Sequence, residues 1–489
     1  TLSCLPSELL LIVASYLPNR DIKNLRLTAR FLHDTVRLRL DRVFLSANPL
    51  NISVFRAIAD DERFRQGVVE IIWDDAVLVE TRSEADFSLW GLWSPLSPRM
   101  FEDHPEEQCP VWFAKACRSN LKRLFHHKHN DVDGPDHMAR ALQVVAAQRA
   151  LIYFWEYYQR LLIGQKWVIE TAADTDALIY GINQFPALKR VTVTPAAHGW
   201  LFAPLYETPM ILSFPYGFNY PIPRGWPTTN EGLSLNVPSW ASLSNHRKDQ
   251  WRGFRITTRV LAQQRENHVT EFILHTNQLY TGLNCRIFEE SCEEYDNLIC
   301  LLRQPGFSRL DLALITDQQE DLDWYSFYNG RLRYALAQAT QMRHISLTGN
   351  MKNHVVYAND SYNEDDNDTT SHLIPIRTIF PIEKWTNLQH FELSSFVITK
   401  DDMVSFLAAL PKTICSIKLR RLNFFKKSDH WPGLLIDIRD KLHWRERDIK
   451  SRPKLTIIID KVLATPPWWA IWIEDEVSKF LYENGPNPF

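Results

Sequence analysis

One short apolar pattern recurs along the chain and limits the folds that the chain can adopt. Seven segments match an apolar-x-x-apolar-x-apolar template, and they begin at residues 68, 188, 269, 307, 342, 388 and 414. With 45% hydrophobic residues, chance alone would supply roughly 40 such matches, so the template by itself proves little. Position is the informative property, because each match follows a helix-like or polar segment and the last five anchors lie 38, 35, 46 and 26 residues apart.

This succession of helix and strand predicts an α/β fold in the form of an irregular solenoid. One strand from each repeat would lie in a parallel sheet, and the helices would cover its convex side. A last strand is predicted at Leu455, Ile457 and Ile459. The pattern resembles degenerate leucine-rich repeats, although the asparagine of that consensus is matched well only at Asn350. A plain α+β domain is the alternative.

The first 45 residues form a different unit, for which three short helices are predicted. Pro6 suits the first turn of a helix, Pro18 ends that helix, and Asp21 is a good N-cap for the next. Apolar residues recur at helical spacing through all three segments, as far as Leu40 in the third. A unit of this size has too little interior for so many apolar side chains, so the surplus must cover either the rest of the chain or another protein.

The same segment resembles an F-box. The match covers about a tenth of the chain and runs through Leu5-Pro6-x-Glu8-Leu9, Ile12, Tyr16-Leu17-Pro18, Asp21-Ile22, Leu25-Arg26-Leu27 and Arg30-Phe31. This chain has Thr28-Ala29 where many F-boxes have Val-Cys, and Phe31 where Trp is common. Both departures preserve a compact, mostly apolar helix face.

The resemblance implies docking onto the Skp-family linker protein of a Skp–cullin–F-box ubiquitin ligase, and onto the cullin scaffold through it. The docking residues that it implies are Leu5, Pro6, Leu9, Ile12, Leu17, Leu25 and Phe31. Residues 1–45 would be the F-box, and residues 46–489 would bind an unidentified protein substrate. The third helix, through Val36 to Phe44, would pack on the first repeat. Ubiquitin transfer takes place on other subunits of such a ligase, so the resemblance implies no enzymatic activity.

Composition excludes several classes of protein. The net charge of −3, from 55 basic and 58 acidic residues, gives no reason to expect nucleic acid or a membrane surface as partner. Seven cysteines without a CxxC pair argue against a disulfide framework or a zinc ribbon and suit a reducing compartment. The apolar run from Leu9 to Ala14 is too short for a membrane helix and lacks the basic flank of a signal peptide. We therefore expect a cytoplasmic or nuclear protein.

Two long stretches interrupt the repeat spacing. The first, between anchors 68 and 188, predicts a long apolar and aromatic helix that includes Leu142, Val145, Ala146 and residues 149–161. The second, at residues 195–255, is rich in both proline and aromatic residues, which excludes long helices but indicates ordered packing. Trp226 and Trp240 are the candidate contacts to a substrate or ligand there, and a structural plug is the alternative. An acidic surface loop is predicted at 359–370, and an aromatic helix at 468–481 would cap the array.

The chain carries no recognisable catalytic or metal-binding motif. It contains no GxxxxGK[ST], GxGxxG, GxSxG or HExxH sequence. The histidine-rich run at 126–129 has no carboxylate or cysteine at useful spacing and is interpreted as a polar loop. We therefore expect no catalytic residue, no metal and no cofactor.

Three functions remain open on these grounds. The leading hypothesis is a substrate-recognition subunit of a Skp–cullin–F-box ubiquitin ligase. The second is a non-catalytic scaffold or assembly component that binds the Skp linker without ubiquitylation. The third is an enzyme or small-ligand receptor whose pocket is built by the aromatic insertion around Trp226 and Trp240.

Overall fold

A computed structural model describes most of the chain. The described ranges are 5–80, 108–126, 142–143, 145–228, 237–264, 267–277, 279–317, 319, 322–350, 373–426, 428–460 and 470–489. Helices and one large, mostly parallel sheet make up the structure, which confirms the predicted α/β class. The acidic loop predicted at 359–370 lies outside the described residues, as does most of the histidine run at 126–129.

Three short helices come first and form a unit with a core of its own. They are α1 (Ser7–Ser15), α2 (Asn19–Thr28) and α3 (Arg30–Thr35). Pro6 and Pro18 directly precede α1 and α2, where a missing N–H group removes no helical hydrogen bond. Asp21 lies in the first turn of α2 rather than at its cap. The core of this unit is small and consists of the buried residues Leu10, Ala14, Ile22, Leu32 and Val36.

The chain leaves this unit in extended form and enters the sheet earlier than predicted. Residues 36–41 connect α3 to strand β1 (Arg42–Ser46), which pairs in parallel with β2 (Glu70–Asp74). The prediction that the third helix continues from Val36 to Phe44 is therefore wrong, and the boundary predicted at residue 45 falls inside β1. Buried Val43 and Leu45 alternate with partly buried Phe44, so the segment has the period of a strand.

Eleven strands of the described residues form one sheet, and their order across it follows the chain. After β1 and β2 come β3 (Arg190–Thr194), β4 (Glu271–Leu274), β5 (Leu283–Asn284), β6 (Arg309–Ile315), β7 (His344–Thr348), β8 (His390–Ser394), β10 (Ser416–Arg420), β12 (Lys454–Asp460) and β13 (Ala470–Trp472). A separate pair consists of β9 (Val397–Ile398) and β11 (Asn423–Phe424). A strand begins two residues after each of the seven anchors, so every strand predicted from the template is present.

In-register pairing aligns equivalent residues of neighbouring strands into rows. One row faces the helices and contains Val43, Ile71, Val191, Phe272, Leu310, Ile345, Phe391, Ile417 and Leu455. All of these residues are buried, as are all seven anchors, and they share one continuous core with the covering helices. Each strand therefore depends on the neighbouring strand to bury its apolar face.

The remaining helices cover the sheet or belong to its insertions. They are α4 (Pro49–Asp60), α5 (Glu62–Arg65), α6 (Val111–His126), α7 (Leu151–Thr171), α8 (Ala173–Gln184), α9 (Pro209–Leu212), α10 (Asn245–Lys248), α11 (Arg252–Gln263), α12 (Glu293–Leu302), α13 (Tyr325–Tyr328), α14 (Arg331–Ala337), α15 (Ile376–Ile379), α16 (Lys400–Ala408), α17 (Trp431–Lys441) and α18 (Glu474–Tyr482). Local sequence fixes several starts. Asn48, for example, accepts hydrogen bonds from the N–H groups of Leu50 and Asn51, and Pro49 occupies the first turn of α4.

Asn350, the one good match to the repeat consensus, closes a turn between neighbouring strands. Its side-chain oxygen accepts hydrogen bonds from the backbone N–H groups of Thr316, at 2.7 Å, and Asp317, at 3.0 Å. These two N–H groups follow the end of β6, where the strand ladder no longer pairs them. The asparagine therefore satisfies buried backbone donors that the fold would otherwise leave without acceptors.

Two later predictions need correction in detail. Among its described residues, the 195–255 insertion has single-turn helices α9 and α10 and short 3₁₀ turns, but α11 begins inside it at Arg252. The aromatic helix predicted at 468–481 is in part a strand, because Ala470–Trp472 form β13, antiparallel to β12. The helix α18 follows from Glu474. Pairing with β13 covers the last edge of the parallel array.

Candidate docking surface

Helix α1 presents an apolar face to solvent. Leu9 and Ile12 are 49% and 54% exposed, and Tyr16, one turn further on, is 84% exposed. The helix is apolar on nearly every side, so the small core needs only Leu10 and Ala14 and leaves the other apolar side chains outside. Exposed single apolar residues are common, but several on one helix face form a patch of the kind that binds partners.

The residues predicted for docking divide into two groups. Pro6, Leu9, Ile12 and Phe31 are exposed, whereas Leu5, Leu17 and Leu25 are partly buried. Leu17 and Leu25 pack against the core of the three-helix unit and so support the exposed group. Leu11 and Leu27, which the prediction omits, are 47% and 85% exposed. Their exposure depends on how the three helices pack, which helical spacing alone does not reveal.

One arginine joins the three-helix unit to the connector that leads into the sheet. The Arg39 guanidinium donates to the carbonyl oxygens of Ser15 and Leu17, at the end of α1. Asn19 completes the junction, because it donates to the Arg39 carbonyl at 2.5 Å and accepts from the Arg39 N–H at 2.9 Å. Carbonyl groups at a helix C-terminus lack helical partners, so the contact satisfies them and restrains the connector.

The second predicted site, in the insertion, is covered. Trp226 is 0% exposed and Trp240 is 2% exposed. The indole N–H of Trp226 donates to Asp75 at 2.7 Å, and that of Trp240 donates to Glu294 at 3.1 Å. Both side chains are therefore part of the packed interior and offer no face to a ligand. The structure therefore does not present either side chain as a contact to a substrate, and the arrangement observed is that of a structural plug.

Two consecutive carboxyl groups at the end of β2 hold this insertion. Asp75 accepts hydrogen bonds from the Trp226 indole and, at 2.7 Å, from the N–H of Gly253 in the first turn of α11. A Cβ atom at Gly253 would lie 2.5 Å from the Trp73 ring, so the close approach requires glycine. Asp74 lies 3.6 Å from His198 Nε2, although its Oδ2 has no hydrogen bond within the described part of the chain.

Burial shifts the protonation of these groups strongly. Desolvation raises the pKa of Asp74 to about 8, with the charge of Asp75 acting in the same direction. Desolvation also raises the pKa of Asp75 to about 7, although hydrogen bonds from Trp226 and Gly253 oppose it. It lowers the pKa of His198 to about 3, and the nearby charge of Arg224 lowers it further. His198, whose Nδ1 lies 2.7 Å from the Tyr220 hydroxyl, is therefore neutral at pH 7.

The opposite face of the sheet, away from the helices, forms a cavity of about 480 Å³. We call it the concave trough. Charged side chains from β1 to β10 line its floor, including Arg42, Glu70, Arg190, Arg309, Asp311, Glu392 and Lys418. Tyr206, from the insertion, forms part of its wall and hydrogen bonds to His275 at 3.0 Å. The prediction that residues 46–489 bind a substrate does not single out these residues, although they occupy equivalent positions on neighbouring strands.

Two further properties bear on function. Within the described ranges, no helix combines the length and apolar character needed to cross a membrane. Among the same residues, no three His, Cys, Asp or Glu side chains are grouped so that they could hold a metal ion. Comparisons of the sequence with known protein families and with curated proteins find no match.

Proposed function

We propose that this protein is a substrate-recognition subunit of a Skp–cullin–F-box ubiquitin ligase. The three-helix unit would dock onto the Skp-family linker, and the concave trough would hold a target protein. The observation that carries the proposal is the outward apolar face of α1. It includes Leu9 and Ile12, which the F-box pattern assigns to docking.

Physical chemistry supports a macromolecular partner for this face. Fully covering a Leu or Ile side chain contributes about 1.5–3 kcal/mol, and α1 exposes several such side chains together. Buried apolar anchors near the centre of an interface supply most of its binding free energy. A partner that covers Leu9, Ile12 and Phe31 together would therefore gain several such contributions from one small unit.

The rest of the chain suits a positioning role. The parallel sheet extends from the three-helix unit in a single series of strands, so a target bound in the concave trough would be held in a defined direction. Holding a reactant near its reaction partner accelerates transfer without any catalytic group on the holder. Such a subunit would act in the cytoplasm or nucleus.

A double substitution tests the docking role directly. Leu9→Asp with Ile12→Asp places two charges in the proposed interface, and both positions are solvent-exposed, so the fold should tolerate them. We expect binding of the full chain to a purified Skp-family linker, measured by calorimetry, to weaken by at least ~30-fold, because loss of one interface anchor costs about 2 kcal/mol or more.

A matched control is available on α7. Ile163 and Trp167 are 69% and 52% exposed and lie far from the three-helix unit in sequence, so Ile163→Asp with Trp167→Asp should leave binding to the linker unchanged. Equal binding by the wild-type chain and the Leu9/Ile12 variant would refute the docking role. If the wild-type chain binds the linker but recruits no cullin, the protein is instead a scaffold component.

A further inference from the structure

We propose that the concave trough binds an acidic, extended peptide segment of the target protein. This inference deepens the proposed function, since it names the class of target, but it stands on the charges of the trough alone. Those charges are not evenly distributed between floor and opening. Their pairing and their depth both favour a ligand that supplies carboxylates.

The charged side chains of the trough, together with Glu271 beside them, occupy equivalent positions on neighbouring strands. Arg42, Glu70, Arg190, Glu271 and Arg309 belong to one row across β1, β2, β3, β4 and β6, with alternating charge. A second row, two residues further along the strands, carries Asp311 on β6, Glu392 on β8 and Lys418 on β10.

Each carboxylate of these rows already has its partners. Glu70 accepts from the Thr192 hydroxyl at 2.6 Å and lies 3.5 Å from Arg42, while Glu271 pairs with Arg190 at 2.6 Å. The other two carboxylates each contact a cation and a histidine: Asp311 contacts Arg309 at 2.6 Å and His344 at 3.1 Å, and Glu392 contacts Lys418 at 3.2 Å and His390 at 3.9 Å.

Two of these carboxylates, Asp311 and Glu392, have pKa values below the usual range and remain charged at physiological pH. Burial would raise the pKa of Asp311, but hydrogen bonds from His344 and Arg309 outweigh burial and hold it at about 2. Burial likewise opposes ionisation of Glu392, yet the contacts from His390 and Lys418 keep its pKa below the usual value. Because all four carboxylates already contact neighbouring donors, they have little capacity left to bind a cationic ligand.

Four cations of these rows are more exposed than the four carboxylates. The side chains of Glu70, Glu392, Asp311 and Glu271 are 8%, 16%, 19% and 22% exposed. Those of Lys418, Arg309, Arg190 and Arg42 are 27%, 28%, 32% and 46% exposed. Every cation in this set is thus more accessible than any carboxylate, so an entering ligand meets guanidinium and ammonium groups first.

The hydrogen-bond donors of the arginines also favour a ligand with carboxylates. A guanidinium has five N–H donors, and one carboxylate occupies at most two of them in a bidentate contact. Arg42, Arg190 and Arg309 therefore keep donors for a second acceptor. The cavity volume of about 480 Å³ is large enough for several residues of an extended chain, and the rows run across strands that lie about 4.8 Å apart. Glutamate and aspartate side chains of such a peptide would bind these arginines.

The test uses the full chain alone, without any Skp-family linker, and three labelled twelve-residue probes. The probes carry six Glu, six Gln or six Lys residues alternating with Gly and Ser, and binding is followed by fluorescence anisotropy. We expect saturable binding of the Glu probe, at least tenfold tighter than that of the Gln or Lys probe. Its affinity should fall as salt rises from 50 to 300 mM, because the contacts are ionic.

Variants locate the binding. Arg190→Gln with Arg309→Gln should weaken binding of the Glu probe at least tenfold, and Lys418→Gln should weaken it less. Arg63→Gln with Arg439→Gln is the matched control, because both arginines pair with an aspartate outside the trough. If the double trough variant fails to fold, the Lys418 variant and the probe comparison on the wild-type chain still decide the matter.

Several outcomes would overturn the proposal. Equal affinity for the Glu and Gln probes would do so, as would an equal loss of binding in the Arg63/Arg439 control. Tighter binding of a twelve-nucleotide single-stranded DNA would show a general polyanion surface instead of a peptide site. The Leu9→Asp, Ile12→Asp variant should bind the Glu probe normally, so failure of docking and failure of the trough are separate results.

Discussion

The three-helix unit and the 195–255 insertion depart from ordinary burial in opposite ways. The first exposes apolar side chains such as Tyr16 and Leu27, which most proteins keep away from water. The second covers ionisable side chains, namely its own His198 and Asp74 and Asp75 at the end of β2, which most proteins keep in water. The aromatic side chains Trp226 and Trp240 of the insertion thus find hydrogen-bond acceptors within the chain, whereas several apolar side chains of the three-helix unit are not covered by the described residues.

The largest effect is expected where an aromatic ring and a buried carboxyl group meet. Trp226→Ala would leave a cavity and would deprive Asp75 of a 2.7 Å hydrogen bond, so the free energy of unfolding should fall by about 3–5 kcal/mol. Urea denaturation followed by circular dichroism measures this free energy of unfolding. Trp167→Ala, on the exposed face of α7, is the matched control and should change the value by less than about 0.5 kcal/mol.

A core substitution in the three-helix unit should lower the free energy of unfolding less than Trp226→Ala does. Its effect should be confined to that unit. Leu10→Ala empties part of a core that is separate from the main one, so the unit should lose about 2–4 kcal/mol of stability while the sheet keeps its own. Hydrogen exchange would show faster exchange in residues 7–35 and unchanged protection in the strands. Leu9→Ala, one position away but exposed, should leave exchange unchanged; an equal effect would mean that α1 packs on a different face.

Stability should also fall as the pH rises from 6.5 to 8. Folding raises the pKa of Asp74 from 3.8 to about 8 and that of Asp75 to about 7. The contribution of these two groups to the free energy of unfolding is therefore greatest below pH 4 and is lost as the pH rises from there through the folded-state pKa values. The effect of His198 has the opposite sign, because folding lowers its pKa from 6.5 to about 3. Its contribution to the free energy of unfolding is lost as the pH falls below 6.5.

Above pH 6.5 the carboxyl groups therefore act alone among these three. The expected loss between pH 6.5 and 8 is about 2 kcal/mol, measured as the shift of the urea midpoint. Asp74→Asn should reduce this pH dependence, whereas Asp440→Asn, which changes an exposed carboxylate, should not. A flat profile in the wild-type chain would show that the insertion does not keep these groups out of water.

The smallest effect is expected at the most exposed apolar residues. Tyr16 and Leu27 are 84% and 85% exposed, so Tyr16→Ser with Leu27→Ser should change the free energy of unfolding of the isolated chain by less than about 0.5 kcal/mol. Thermal denaturation is sufficient to measure this. A marked destabilisation would mean that these side chains are covered in solution by the chain itself, which would remove the contrast between the two regions.

The strands could be predicted because their signal is local. Each anchor and the alternating residues after it lie within one short segment, and the parallel sheet places successive segments side by side, so the order of the strands in the sheet follows the chain. The strand β1 was missed because its apolar spacing also fits a helix, and pairing of Arg42 with Glu70, across 28 residues, decides between the two. The strand β13 depends in the same way on its antiparallel pairing with β12.

The candidate sites show a similar limit. The F-box pattern identifies residues on α1, but it does not tell that Leu10 faces inward while Leu9 faces solvent, since both are leucines on an all-apolar helix. Likewise, an aromatic loop is equally compatible with a binding surface and a plug. Trp226 lies in the interior, where Asp75, 151 residues earlier, accepts a hydrogen bond from its indole N–H group. Contacts between residues so far apart in the sequence cannot be predicted from the spacing of residues within one segment.

The junction at Arg39 has a mechanical consequence. Ten strands follow one another across the sheet, and at about 4.8 Å each the last lies roughly 43 Å along the array from the first. A lever arm of that length magnifies small rotations, so a tilt of about 10° at the connector would move the far strands by roughly 7 Å. The contacts of Arg39 with Ser15, Leu17 and Asn19 lie at the pivot of that arm. Under the proposed function, the stiffness of these contacts would set how accurately a target bound in the trough is positioned.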